Sequence, residues 1–305
     1  MTLTAGFLGP IFAEGFFENE AVHIALAIGT AVAIVTAVVG VFTVMRGQSF
    51  AGESLGDIGT TGGSAASLIG VGPLAGFVAI DVLAAAAMEA IGVQRVRGRD
   101  LATGIVLGAA IGLAALFLYL DTTNGSNGST VTILFGSIFA ISTSTIPAVV
   151  GLALLSLILI AVLYRPLLLS TVSPEIAAAR GIPVRLVGAA YLLTLALATA
   201  LAAITIGTIL STALLIGPAA AALRLTTRPL RAMLLATALG IGAVWIGVVL
   251  SYDSYHWPPH EHGWPVSFFI VALVFLTYLL SGVPGLFERR RARLADRTDP
   301  LTVEG

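Results

Sequence analysis

The chain has no cysteine and no lysine among its 305 residues, and only 10% of them are charged. The missing cysteines exclude disulfides and thiolate metal sites. The low charge excludes an ordinary soluble domain, where about a quarter of residues are ionised. No GxxxxGK[ST] stretch is present, so the chain has no phosphate-binding loop of its own. There is no HExxH, no plausible Ser/His/Asp set and no pair of GxGD-type carboxylates on two spans. What is present is apolar residues: 57% of the chain, with a mean hydropathy of +1.01. That composition belongs to an integral membrane protein that spends nearly its whole length on spanning, with no room for a separate catalytic domain.

All fifteen basic residues are arginine, and their placement gives the topology. They cluster at Arg46; at Arg95, Arg97 and Arg99; at Arg165, Arg180 and Arg185; at Arg224, Arg228 and Arg231; and from Arg289 to Arg297. Apolar sequence long enough to cross a bilayer and return separates successive clusters. The positive-inside rule then puts every cluster in the cytoplasm. The other connections carry Glu14, Glu18, Glu20, Asp121, Asp253 and Glu261 and face outside. The N-terminus is therefore expected outside and the C-terminus inside. No positive charge precedes the first apolar run, so residues 1–21 read as an extracytoplasmic segment, not as a signal peptide.

The expected architecture is all-α and polytopic, with nine transmembrane helices (eight on a stricter count) over residues 22–286 and a cytoplasmic tail over 287–305. The first span runs to Met45, and residues 47–56 read as a cytoplasmic turn. GDIGTTGGSAASLIGVGP, from Gly56 to Pro73, is too rich in Gly, Ser and Thr to face lipid; it must line a cavity or pack closely on neighbours. Spans follow at Leu74–Val93, Leu101–Leu120 and Ile146–Leu163, with a short apolar outer segment at Val131–Ile141. The remaining spans are Val184–Ile206, Gly207–Arg224, Ala232–Leu250 and Val266–Leu286, and Pro218 predicts a kink in the first of the last three. The final arginine run reads as a stop-transfer and lipid-headgroup anchor, not as a nucleic-acid patch, and no nucleic-acid partner is expected.

One polar island interrupts this pattern, STVSPEIAAARGIP from Ser170 to Pro183. Ser173 suits an N-cap, Pro174 the first helical position, and Glu175 the positive end of the helix dipole. Ala178, Ala179 and Arg180 continue the helix, Gly181 suits the left-handed position after it, and Pro183 prevents continuation. A short rigid cytoplasmic helix of this kind reads either as an ordinary loop helix or as a docking element for a partner.

Candidate chemistry is sparse. Asp57 opens the Gly-rich span and reads either as an ion-path carboxylate, costly to insert and therefore functional, or as an interfacial helix cap. Asp81 lies deeper in the third span and is a second path candidate. The last outer loop holds His256, His260 and His262 with Asp253 and Glu261, a donor set that suits Zn, Mn or Fe. The same loop, with Trp257 and Trp264, also reads as a plain interfacial aromatic belt.

Four stretches together resemble the membrane subunit of the zinc/manganese/iron-chelate type of ABC importer, over about residues 30–282. They are Gly56-Asp57 after a first span ending in arginine, Leu134-Phe135-Gly136 in the outer segment, SPEIAAARGIP, and GTILSTALLIGPAAAALRL from Gly207. The resemblance implies a permease that binds no permanent cofactor. Its expected partners are a second permease copy (identical or not), cytoplasmic ATPase subunits that use the ATP, an extracytoplasmic substrate-binding protein and membrane lipids. It also implies a bacterial cytoplasmic membrane, a divalent-metal cargo, and a coupling role for residues 173–181. One position departs from the family pattern: a histidine four residues after the Asp is usual, and here that residue is Thr61. Asp57, Thr61 and Asp81 are therefore the expected path residues, with an imidazole missing. Two alternatives stay open: the same architecture moving a chelated or non-metal substrate, and a stand-alone ion-coupled carrier.

Overall fold

The computed structural model describes Phe16 and residues 18–91, 99–123, 132–136, 138–255 and 263–282. Among the described residues there is no strand. The helices are α1 (Glu20–Met45), α2 (Ser49–Leu68), α3 (Pro73–Ile91), α4 (Arg99–Thr123), α5 (Ile146–Val172), α6 (Pro174–Ala179), α7 (Val184–Ile206), α8 (Thr208–Leu225), α9 (Pro229–Ser254) and α10 (Val266–Ser281). A helical turn at 132–135 and two 3₁₀ turns, Ile138–Ala140 and Thr143–Thr145, lie between α4 and α5. Among the described residues seven helices are long and apolar enough to cross a membrane; the Gly-rich α2 and the 16-residue α10 complete a set of nine long helices there.

Two boundaries differ from the sequence reading, for physical reasons. Residues 49–56 are the first two turns of α2 and not a loop. The turn between α1 and α2 is confined to Arg46–Gln48, with Gly47 at φ 62°. The run SFAGESLG contains no proline and no unavoidable breaker, so backbone hydrogen bonding continues through its polar residues. In the same way α5 runs past Arg165 and Pro166 to Val172. A basic flank marks a membrane boundary, and a helix has no reason to stop there while apolar residues such as Leu167–Leu169 follow. Pro218 likewise lies inside α8, which continues through it.

The centre of the bundle is α7, packed against α1, α2, α3, α5 and α8. Its sequence is apolar all round, as a helix with neighbours on every side requires. Leu195, Ala196, Ala198, Ala200, Leu201 and Ala202 are fully buried. On one flank α2 packs most extensively on α3 and α4; on the other, α1 packs on α8 and α9, and α10 closes against α8 and α9.

Small residues set the closest approaches. The Gly62 and Gly76 backbones of α2 and α3 touch so directly that a Cβ on either would overlap the other's carbonyl oxygen. Gly40 on α1 meets the Leu215 carbonyl on α8 in the same fashion. Without a hydrophobic effect to drive association in lipid, such backbone contacts supply the packing energy. Gly207, at φ 85° and ψ 160°, is the single residue between α7 and α8 and lies in a region essentially reserved for glycine. The backbone of Leu134–Gly136 is pressed against it.

Candidate functional site

Glycines along one face of α2, spaced i, i+4 and i+7, fix what lies across the helix from Asp57. Gly52 and Gly56 face α8, where an added Cβ would stand 2.9 Å from the Leu215 side chain and 2.9 Å from Ser211 Oγ. Gly59 faces Asp81 on α3. Asp57 itself is half-buried. One residue is about 100° of helix, so Asp57 points about 200° away from Gly59 and hence away from Asp81. The structure does not bring the two carboxylates into one site.

Thr61 shares the Asp57 side of α2, one turn on, as i and i+4 residues do. It is buried, and its hydroxyl donates to the Ala110 carbonyl of α4 at 2.7 Å. The residue where a histidine was expected by resemblance thus makes a helix–helix hydrogen bond. The carboxylates on that side of α2 are Asp57 and, one turn before it, the exposed Glu53.

Asp81 is completely buried between α2, α3 and α7. Its Oδ2 accepts from the Thr199 hydroxyl of α7 at 3.0 Å, and Oδ1 has no hydrogen-bond partner. Thr199 Oγ1 also lies 3.1 Å and 2.9 Å from the Leu195 and Ala196 carbonyls of its own helix. One hydroxyl proton has three acceptors within reach. Asp81 therefore knits three helices together through a thinly supplied polar contact.

Further polar groups on the glycine face of α2 come from the start of α8. Thr208 and Ser211 are both buried; Ser211 donates to the Thr208 carbonyl at 2.8 Å, and Thr208 Oγ1 has no partner. Sequence reasoning singled out GTILSTALLIGP as part of a span and of the family resemblance, without marking its hydroxyls. The signal that marks these hydroxyls is their i, i+3 spacing right after the glycine break. Thr199 carries no comparable signal, since its pairing with Asp81 spans 118 residues.

The sequence-predicted docking helix is built as its residues dictate. Ser173 accepts from the Ile176 N–H at 3.4 Å, and Pro174 opens α6. At the other end the Gly181 N–H donates to Ala178 O at 2.9 Å and the Ile182 N–H to Ala177 O at 3.0 Å, with Gly181 at φ 77°. These two bonds are the Schellman pattern, which stops a helix firmly. Ala177 is buried against the bundle, while Pro174, Glu175, Ile176, Ala178, Ala179 and Arg180 are exposed. Val172 and Leu186 flank them with relative exposures of 73% and 69%. This end of the bundle thus presents a rigid knob with an apolar rim.

At the opposite end a cavity of about 540 Å³ is walled by Phe135, Phe139, Tyr252, Tyr255 and Trp264. Ser251 donates to the Trp264 carbonyl at 2.7 Å, and the Trp264 N–H donates to Ser254 at 2.8 Å, which ties the start of α10 to the end of α9. Of the outer-loop metal candidates, only Asp253 is described, half-buried beside this cavity; His256, His260, Glu261 and His262 lie outside the described residues. Among the described residues no three His, Asp or Glu side chains come together as a metal cage.

The chain is 33% identical over 234 residues to the manganese transport system membrane protein MntC of Halalkalibacterium halodurans, covering 75% of this chain and 78% of that one. It is 28% identical to the high-affinity zinc uptake system membrane protein ZnuB of Haemophilus influenzae, covering 75% and 88%. The fold superposes on a chain of PsaBC from Streptococcus pneumoniae, solved in complex with Fab, with a TM-score of 0.76 and 25% identity over 88% of this chain and 93% of that one. The model of the ABC 3 transport family matches residues 18–281, the stretch from before α1 to the end of α10, and the chain belongs to that family.

Proposed function

We propose that this chain is the permease subunit of an ATP-driven importer and forms the membrane path for a divalent metal cation, manganese or zinc. The observation that carries the reading is the pairing of two features at different depths of one bundle. One is a doubly capped, exposed α6 suited to a partner's cleft; the other is a carboxylate, Asp57, seated half-buried in a Gly-rich helix. A carboxylate inside a membrane bundle is costly to insert and marks an ion path or a polar pair. The names of the manganese and zinc relatives support the cargo class.

In this reading the α6 end faces the cytoplasm. A separate ATPase subunit docks on Glu175, Ile176, Ala178, Ala179 and Arg180. A second permease copy completes the membrane unit, and an extracytoplasmic binding protein delivers cargo above the aromatic cavity. Hydrolysis occurs in the partner, and this subunit performs no bond chemistry. The membrane is the bacterial cytoplasmic membrane, with the C-terminus inside.

The reading is tested by metal uptake into proteoliposomes holding this chain, its ATPase and its binding protein. Ala178→Pro should abolish uptake by breaking α6. Undiminished uptake in that variant would refute the docking role. A second reading, transport of a chelated cation, is favoured by one observation: Thr61 spends its hydroxyl on Ala110, so no strong ligand follows Asp57 one turn further along α2. Competition of free metal against metal chelates in the same vesicles separates the two.

A further inference from the structure

Arg46 sits where three helices meet at the α6 end of the bundle. It caps α1, with its backbone N–H on the Phe42 carbonyl at 2.9 Å. Its Nη1 donates to Ser170 Oγ at 3.3 Å and to Thr171 Oγ1 at 3.2 Å, both in the last turn of α5. Its guanidinium lies 5.2 Å from the ring centroid of Tyr191 on α7. Tyr191 is fully buried, and its hydroxyl shares a 2.7 Å hydrogen bond with Thr43 Oγ1, back on α1. The contacts close a circuit through α1, α5 and α7.

What lies next to the circuit gives it meaning. Ser170 and Thr171 stand just ahead of Ser173, the one residue that both ends α5 and caps α6; its N–H bonds to the Leu169 carbonyl at 2.9 Å. With no slack residue between the two helices, α6 cannot shift without carrying the last turn of α5. On the other side, Arg46 is followed by the tight turn at Gly47 and Gln48, and then by α2 with Asp57. The Ser170 and Thr171 hydroxyl protons are directed to the Leu167 carbonyl, at 3.0 Å and 2.6 Å, which leaves their lone pairs for the guanidinium. A guanidinium can fork to two hydroxyls and lie over an aromatic ring at once; a lysine ammonium cannot reproduce that planar fork.

We propose that Arg46 is the positioning residue that transmits movement of α6 to the α1–α2 corner, and so to the helix carrying Asp57. The proposal rests on the reading of α6 as the ATPase dock. Arg46 touches no cargo in this account; it couples.

The test uses the full complex, chain plus ATPase plus binding protein, in proteoliposomes with Mn²⁺. Since the chain has no cysteine, Ala65→Cys, half-buried on α2, supplies a single reporter whose reaction with a water-soluble thiol reagent is followed with and without ATP. In the otherwise native chain the reporter's reactivity changes with ATP. With Arg46→Met the complex assembles and hydrolyses ATP at its basal rate, the reporter loses its response, and uptake per ATP falls roughly tenfold. Arg46→Lys restores part of both. Ser170→Ala with Thr171→Val reproduces the loss, and combining that pair with Arg46→Met adds nothing further.

Native reporter response and native uptake per ATP in Arg46→Met would overturn the proposal, as would a reporter that never responds to ATP. Additive losses in the combined variant would also overturn it. If Arg46→Met fails to assemble, the Ser170/Thr171 pair, which keeps the guanidinium, decides by the same two readouts. A reporter that responds through Arg46 in a complex taking up no metal would sink the cargo assignment and leave this inference standing.

Discussion

Replacing Gly59 by alanine should have opposite effects in two backgrounds. In the native chain an alanine Cβ at this position would overlap Asp81 Oδ1 and stand 3.0 Å from Cγ and 3.1 Å from Oδ2. Carbon contacts settle at about 3.5–4.0 Å, so the carboxyl must move by several tenths of an ångström. It has little room, being completely buried and hydrogen-bonded to Thr199. Overpacking of this kind costs about 1–3 kcal/mol, against a gain of about 1 kcal/mol from alanine's better helix propensity. The net is a loss of up to about 2 kcal/mol. In an Asp81→Ala background the obstacle is gone and only the propensity gain remains, so the same substitution should stabilise by about 0.5–1 kcal/mol. The coupling between the two sites is then about 2 kcal/mol, well beyond the error of a double-mutant cycle. Unfolding of the four variants in mixed micelles, followed by far-UV circular dichroism, measures it. A Gly59→Ala effect of the same sign and size in both backgrounds would refute the placement of Asp81 against α2.

Three further outcomes follow from the same geometry. Thr61→Val should cost about 0.6 kcal/mol, the usual worth of a hydroxyl bond between membrane helices, and leave metal affinity unchanged; isothermal titration separates this from a ligand role, which would cost affinity instead. Ser173→Ala removes the α6 N-cap, worth about 1 kcal/mol, and should weaken ATPase association in a pull-down of the solubilised complex without altering the melting of the chain alone. Gly207→Ala must force a side chain into a glycine-only conformation against the Leu134–Gly136 backbone, at a cost of about 1–3 kcal/mol for the backbone alone, and should lower the yield of folded chain on size exclusion.

The elements that were legible in the sequence are those governed by local physics. Apolar length marks the long helices, and Ser173, Pro174, Gly181 and Pro183 announce both ends of α6 by residue type alone. The Gly-rich span was recognised as unfit for lipid, and its glycines do make the backbone contact with α3 at Gly62 and Gly76. Two boundaries were missed because charge and polarity mark where a membrane ends, while a helix ends only at a backbone breaker. Hence α2 starts at Ser49 and α5 overruns Arg165. The side on which a residue lies was legible within one helix and not between helices. The spacing alone places Thr61 on the Asp57 side, but nothing local says that α4 offers Ala110 to it or that Asp81 faces Thr199. The circuit through Arg46 was invisible for the same reason, since it joins residues 124 to 148 positions apart or brought together only by packing.

The central claim is that the Asp57 side of α2 forms part of a path for a divalent cation. The direct measurement is ATP-dependent uptake of Mn²⁺ and Zn²⁺ by proteoliposomes carrying the full complex, comparing the native chain with Asp57→Ala and with His256, His260 and His262 all replaced by alanine. The account predicts uptake that Asp57→Ala abolishes while complex assembly and basal ATP hydrolysis persist. Uptake that survives Asp57→Ala unchanged would contradict it, whatever the histidine variant does.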